Sequence, residues 1–87
     1  MRSEEIDQVL TKQKIGESQQ VKIIFKKRES LNGSFIKGHD YAELKKKNFW
    51  RVVTAGRYEE WQRSGSNENA RLFNGDEFSR LTLKGVE

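Results

Sequence analysis

The stretch VKIIFKKRESLNGSFIKGHD constrains the fold of this chain more than any other. From Val21 to Phe25, apolar residues alternate with lysines, apart from Ile24, which lies on the otherwise polar side. This two-residue period is typical of a strand with one buried face. A charged segment interrupts the alternation, which resumes from Leu31 to Phe35. The pattern predicts an antiparallel hairpin with one solvent-exposed face and one buried face.

A short helix is predicted ahead of this hairpin, within residues 1–16. Ser3 is a suitable N-cap residue, and two acidic residues follow it in the first turn. Ile6 and Leu10 share one helical face, and Gly16 is the expected stop.

Three more strands are predicted in the second half of the chain. Residues 49–53 (FWRVV) are aromatic and β-branched, and residues 70–73 and 78–83 flank the turn signal Asn74-Gly75. Between the third and fourth strands, an aromatic pair at helical spacing predicts a helical turn at Tyr58 and Trp61. The order predicts a mainly β domain, with a short N-terminal helix followed by a small, strongly bent five-stranded antiparallel barrel of the SH3-like type. Its expected inward-facing residues are Phe25, Leu31, Phe35, Phe49, Leu72 and Phe78.

Composition limits the class of protein. The 87 residues predict one domain, 1–87, and the absence of cysteine excludes disulfides and thiolate metal sites. The sequence shows neither a long apolar run nor an export signal, so we expect a cytoplasmic protein with no membrane partner. The net charge of +4 favours polyanionic partners.

Two motifs together resemble those of the Sm-like (LSm and Hfq) family. Residues 21–40 resemble the first Sm motif, with alternating apolar residues, a turn, an apolar residue two before a glycine, and a closing glycine and aspartate. Residues 70–83 resemble the second motif, in which an apolar strand leads to a glycine, two polar residues and a last strand. The chain departs from the family pattern at three positions. Arg28 stands where the family has a glycine, and Asn74 stands where it has a basic residue. His39 is an extra residue between the closing glycine and the aspartate.

The resemblance implies a ring of subunits that binds single-stranded, often uridine-rich, RNA. In such rings the fourth strand of one protomer pairs with the fifth strand of the next. Asp40 is then the structural aspartate of the loop, Asn48 reads a base edge, Lys47 is a stacking neighbour, and Asn74-Gly75 is the pair in the second loop. Lys45 and Lys46 add positive charge nearby, which completes the candidate RNA-binding set of Asp40, Lys45, Lys46, Lys47, Asn48, Asn74 and Gly75.

Two other functions stay open at this point. The first is an Sm-fold protein-interaction or scaffolding module without RNA binding, in which the inserted segments 41–47 and 54–69 form a partner surface. The second, a small hydrolase or nuclease using His39, Asp40 and the lysines, has weaker support because adjacent strand residues point to opposite faces. We therefore expect that the protein is not an enzyme and binds no cofactor. We also expect no metal site, because the acidic residues are not at ligand spacing with a second histidine.

Several of these residues also have a purely structural interpretation. A lysine run such as 45–47 is more often a solvated face than a phosphate track. Trp50 and Trp61 are expected to pack before they serve as base platforms. Gly33 and Gly75 are expected to meet geometric demands of a strand bend and a turn.

Overall fold

An N-terminal helix packs against a five-stranded antiparallel sheet in the computed structural model, which describes residues 1–13, 15 and 19–83. The helices are α1 (Ser3–Lys12), α2 (Tyr41–Lys46) and α3 (Tyr58–Ser64). The strands are β1 (Val21–Phe25), β2 (Leu31–Phe35), β3 (Phe49–Thr54), β4 (Arg71–Asn74) and β5 (Phe78–Leu83). Short 3-10 turns lie at Ala55–Arg57, Asn67–Asn69 and Gly75–Glu77. The predicted N-terminal helix and five strands are confirmed.

The strands are ordered β4-β3-β2-β1-β5, so that β4 and β5 form the two edges of the sheet. In a flat sheet, four spacings of about 4.8 Å would separate these edges by about 19 Å. Only the three-residue turn Gly75–Glu77 connects them, and the rings of Phe25 on β1 and Phe73 on β4 lie 5.6 Å apart. The sheet is therefore strongly bent. It does not close into a hydrogen-bonded barrel, because β4 pairs with β3 alone and β5 with β1 alone.

Helix α1 begins at Ser3, one residue earlier than expected, because Ser3 itself was predicted to be the N-cap. Arg2 is the N-cap, and its backbone N–H donates to the Glu5 carboxylate at 3.0 Å. The helix ends at Lys12, and the predicted stop at Gly16 lies outside the described residues. As expected from their spacing, Ile6 and Leu10 are buried.

The segment between β2 and β3 forms a helix that the sequence pattern did not predict. α2 is short, and none of its residues is fully buried. The aromatic pair predicted to form a helical turn does lie in a helix, α3, where the rings of Tyr58 and Trp61 are 5.8 Å apart. None of the helices in the described ranges is both long and apolar enough to cross a membrane.

Aromatic side chains form the centre of the core on the concave side of the sheet. The ring of Phe35 lies 6.0 Å from that of Trp50 and 6.4 Å from that of Phe78, both in edge-to-face geometry. Phe25 contacts Phe78 in the same geometry at 5.5 Å. The expected burial of Phe25, Phe35 and Phe78 is confirmed, Leu31 packs against the core while partly buried, and Trp50 is a packing residue.

The predicted core positions on β3 and β4 were wrong by one residue. Phe49 and Leu72 remain 37% and 52% exposed, and their neighbours Trp50 and Phe73 are buried and paired across the two strands. FWRVV carries apolar residues on both faces, so its sequence does not reveal the phase. The phase follows instead from pairing with β2, which places Val52 opposite Phe35 on the core side.

Replacement of Phe35 by Ala should cost about 3–5 kcal/mol, because the ring is 3% exposed and its removal leaves a cavity. That loss approaches the whole stability of a small domain. Phe49→Ala is the matched control, and because its ring is exposed we expect a loss of at most about 1 kcal/mol. Urea unfolding measures both variants. Equal losses in the two variants would contradict the assignment of faces.

Candidate functional site

The turn before β3 and the turn after β4 lie against each other. The N–H of Gly75 donates to the carbonyl of Asn48 at 2.8 Å, and Phe49 pairs with Asn74 at the end of the strand ladder. Of the seven candidate residues, the structure therefore brings together Asn48, Asn74 and Gly75. They come from two distant parts of the sequence.

Asn48 is the centre of a hydrogen-bond network at this junction. Its amide nitrogen donates to the Met1 carbonyl at 2.9 Å and to the Asp76 carboxylate at 3.1 Å. Its amide oxygen accepts from Trp50 Nε1 at 2.8 Å. Both amide donors are engaged within the chain, so in this arrangement the side chain has only acceptor capacity left for a base edge.

The backbone of Asn48 also marks a turn. Its φ of 61° is the one positive value for a non-glycine residue in the described ranges. Asn tolerates this left-handed conformation better than most residues do. The residue thus lies in the turn between α2 and β3 and directs its amide at Asp76, in the turn that begins at Gly75.

Gly75 fits at the junction because it has no side chain. A Cβ there would overlap the Asn48 side chain and would approach Ile6 Cδ1 to 2.6 Å. The carbonyl of Gly75 accepts from the Met1 nitrogen at 2.9 Å, and Asn74 Oδ1 accepts from the Asp76 N–H at 2.9 Å. The turn is therefore fixed from several sides.

Asp40 lies elsewhere, in a paired interaction with Arg51 on β3. The two guanidinium nitrogens donate to the two carboxylate oxygens at 2.6 and 3.1 Å. The hydrogen bonds from Arg51 hold the pKa of Asp40 below its ordinary value of 3.8. The pair therefore stabilises the fold above that pH, and its contribution is lost as the pH falls through the lowered pKa.

The three candidate lysines differ in their surroundings. Lys45 Nζ lies 3.2 Å from the Asp7 carboxylate of α1, whereas Lys46 and Lys47 are exposed. Only the last two offer their full charge to a ligand. His39, named in the hydrolase alternative, is also exposed, and no group of three potential metal-binding side chains occurs among the described residues.

Tyr41 fixes α2 beside the junction. Its ring lies 5.9 Å from that of Trp50, and its hydroxyl donates a long hydrogen bond of 3.5 Å to Asp7. Burial, followed by the Asp7 charge, raises the pKa of Tyr41 to about 12, so the phenol remains protonated at neutral pH.

Sequence patterns missed the partners of the candidate residues. Arg51 could have been noticed, because a charged residue inside the apolar strand FWRVV needs a partner when the strand is partly buried. Met1 and Asp76 gave no such signal, because their contacts with Asn48 depend on the bend of the sheet.

Searches against protein-family models, curated proteins and solved structures find no match to this chain.

Replacement of Asn48 by Ala should destabilise the protein by about 2–4 kcal/mol. The change leaves the buried Trp50 Nε1 without its acceptor, a loss of about 1–3 kcal/mol, and places Ala in a left-handed conformation at about 1 kcal/mol. Asn48→Gly removes the same amide without the backbone strain, so it should be more stable than the Ala variant by about 1 kcal/mol. Denaturant unfolding of the three proteins tests this, and a neutral Ala variant would show that the network contributes nothing.

Proposed function

We propose that this chain is a Sm-like module that assembles with copies of itself, edge to edge, into a ring and binds single-stranded RNA. The observation that carries the proposal is the sheet order, which leaves β4 and β5 as the two unpaired edges. These are the strands that the resemblance to the Sm-like family pairs between protomers. The role needs no catalysis and no cofactor.

The surface beside the β4 edge supports assembly. Leu72 is half exposed on β4, and Phe49 lies diagonally across from it on the same outer face of β3. The chain has no proline, and no register shift interrupts the β3–β4 ladder, so β4 lacks two common devices that protect a lone edge. A second copy placed against this edge would satisfy its backbone groups and cover Leu72.

The charge around the junction supports RNA as the ligand. Lys46 and Lys47 are exposed immediately before Asn48, and the chain carries a net charge of +4. Such lysines can hold phosphates by releasing counterions, without reading the sequence of the strand. In a ring, each protomer would add one such pair of lysines.

The network of Asn48 favours a second candidate, the protein-interaction or scaffolding module. Both donors of Asn48 are engaged within the chain, and Asn74 replaces the basic residue of the family motif. The pocket implied by the resemblance therefore lacks two of the groups that would bind a base. The module would keep the assembling edges and use a protein as its ligand.

Replacement of Leu72 by Lys should shift the assembly towards monomers while leaving the fold intact. The side chain is 52% exposed, so its loss costs the isolated domain little, but a charge at the edge opposes pairing. The control Gln62→Lys adds the same charge at an exposed position of α3, outside the two edge strands. Light scattering at tens of micromolar measures the mass, with circular dichroism as a check on folding.

A monomeric wild-type protein in that experiment would refute assembly. An unchanged mass in Leu72→Lys would place the interface elsewhere.

Replacement of both Lys46 and Lys47 by Ala should weaken RNA binding for every base composition. The slope of log affinity against log salt should flatten by about 0.7 for each phosphate of the single strand that the variant no longer neutralises. The matched control, Arg57→Ala with Arg63→Ala, removes the same charge from the α3 region. Fluorescence anisotropy with labelled oligonucleotides at several salt concentrations measures the slopes. If the wild-type protein binds no oligonucleotide at low salt, RNA is not the ligand and the interaction module takes its place.

A further inference from the structure

A cavity of about 450 Å³ opens between the β1–β2 turn and the turn after β4, beside the junction described above. We call it the turn cavity, and its lining residues are Phe25, Lys26, Lys27, Arg28, Asp76 and Glu77. The two turns are tied together, since the N–H of Lys26 donates to the carbonyl of Glu77 at 3.0 Å. The two turns that border the cavity are therefore joined by a backbone hydrogen bond.

The turn cavity contains one planar group that a ligand can contact, the guanidinium of Arg28. The Arg28 carbon Cζ lies 4.9 Å from the ring centroid of Phe25 and 5.9 Å from that of Phe73. This cation–π contact restrains an otherwise exposed side chain. Phe25 is itself only 5% exposed, so the exposed guanidinium of Arg28, rather than the ring beneath it, is the planar group that a ligand can reach.

The turn after β4 contributes a carboxylate acceptor to the lining of the cavity. Asp76 is already used by the amide of Asn48, but the Glu77 carboxylate has no hydrogen bond or ion pair with any residue in the described ranges, and its side chain is exposed. A free carboxylate accepts hydrogen bonds from N–H donors and repels carbonyl oxygens. It therefore distinguishes an exocyclic amino group from an exocyclic oxygen.

Two lysines complete the arrangement at the rim. Lys26 and Lys27 are exposed next to Arg28 and supply positive charge where a phosphate would follow a bound base. A stacking plane, a carboxylate and two ammonium groups match the three parts of one nucleotide whose base carries an amino group.

We propose that the turn cavity is a nucleotide subsite that selects cytidine over uridine. The base stacks on Arg28, the cytosine 4-amino group donates to Glu77, and the phosphate contacts Lys26 and Lys27. The proposal rests on the proposed RNA-binding function and adds a preference that differs from the uridine-rich ligands implied by the family resemblance. Uracil presents an oxygen where cytosine presents the amino group, so it faces the carboxylate unfavourably.

Binding of labelled oligocytidine and oligouridine of equal length tests the proposal. The wild-type protein should bind oligocytidine about tenfold more tightly, equivalent to about 1.4 kcal/mol. Glu77→Gln should bring the ratio close to one, because Gln can both donate and accept. Glu68→Gln makes the same change of charge at an exposed site outside the cavity and should keep the ratio.

Arg28→Lys separates stacking from charge. It keeps the positive charge but loses the plane, so binding of both oligonucleotides should weaken at unchanged net charge. The matched variant Arg63→Lys, on α3, should bind as the wild-type protein does. A wild-type ratio of one or below, or a ratio that Glu77→Gln leaves unchanged, overturns the subsite even if RNA binds.

Mononucleotides test the turn cavity separately from the binding of RNA strands. If neither oligonucleotide binds at low salt, NMR titration with cytidine and uridine monophosphates decides the fate of the cavity. Shifts of the backbone amides of residues 26–28 and 77 with the cytidine nucleotide alone support the subsite. The absence of such shifts overturns it.

Discussion

The contact between Asn48 and Gly75 is the constraint on which most of this structure depends. It joins the residue just before β3 to the residue just after β4 through the main-chain carbonyl of Asn48, while the side-chain amide of Asn48 bonds to Met1 and Trp50. The turn that follows delivers the chain to β5, which pairs with β1 on the far side of the bent sheet. The bend brings β4 and β5 towards each other, but the two strands do not pair, so both remain edge strands.

Much of this fold could be predicted from the sequence because its strands are short and alternate clearly. The period of two in β1 fixed both its position and its buried face, as the burial of Val21, Ile23 and Phe25 confirms. Asn74-Gly75 gave the position of the turn between the last two strands. This turn does not close a hairpin. It links β4 and β5, at opposite edges of the sheet, through a 3-10 turn. Local propensity identifies a turn, but the pairing of the strands it connects depends on the whole sheet.

Other features depend on contacts that no local pattern contains. In FWRVV, apolar residues on both faces hid the phase, which pairing with β2 decides. The helix α2 buries none of its residues fully and therefore left no strong apolar period to read. At the candidate site, the sequence identified residues that take part in contacts, but it did not identify their partners or their structural roles. Asn48 was expected to face a ligand, whereas its donors are directed at the chain itself, and Asp40 is held by an arginine 11 positions later.

The junction has two consequences for function. It engages both amide donors of Asn48 within the fold, and for this reason the proposed base subsite is placed in the turn cavity. It also leaves β4 and β5 with unpaired backbone groups, which favours pairing with another chain. The proposed assembly and the proposed nucleotide subsite therefore depend on the same bend in the sheet as the packing of the core.

Hydrogen exchange of the edge-strand amides, measured over a range of protein concentrations, tests whether β4 and β5 pair between copies of the chain. If they pair, the amides of β4 and β5 that point away from the sheet become protected as the concentration rises, while the amides of α3 exchange at an unchanged rate. Edge amides that exchange equally fast at every concentration would show that the two edges do not pair, and would contradict the proposed assembly.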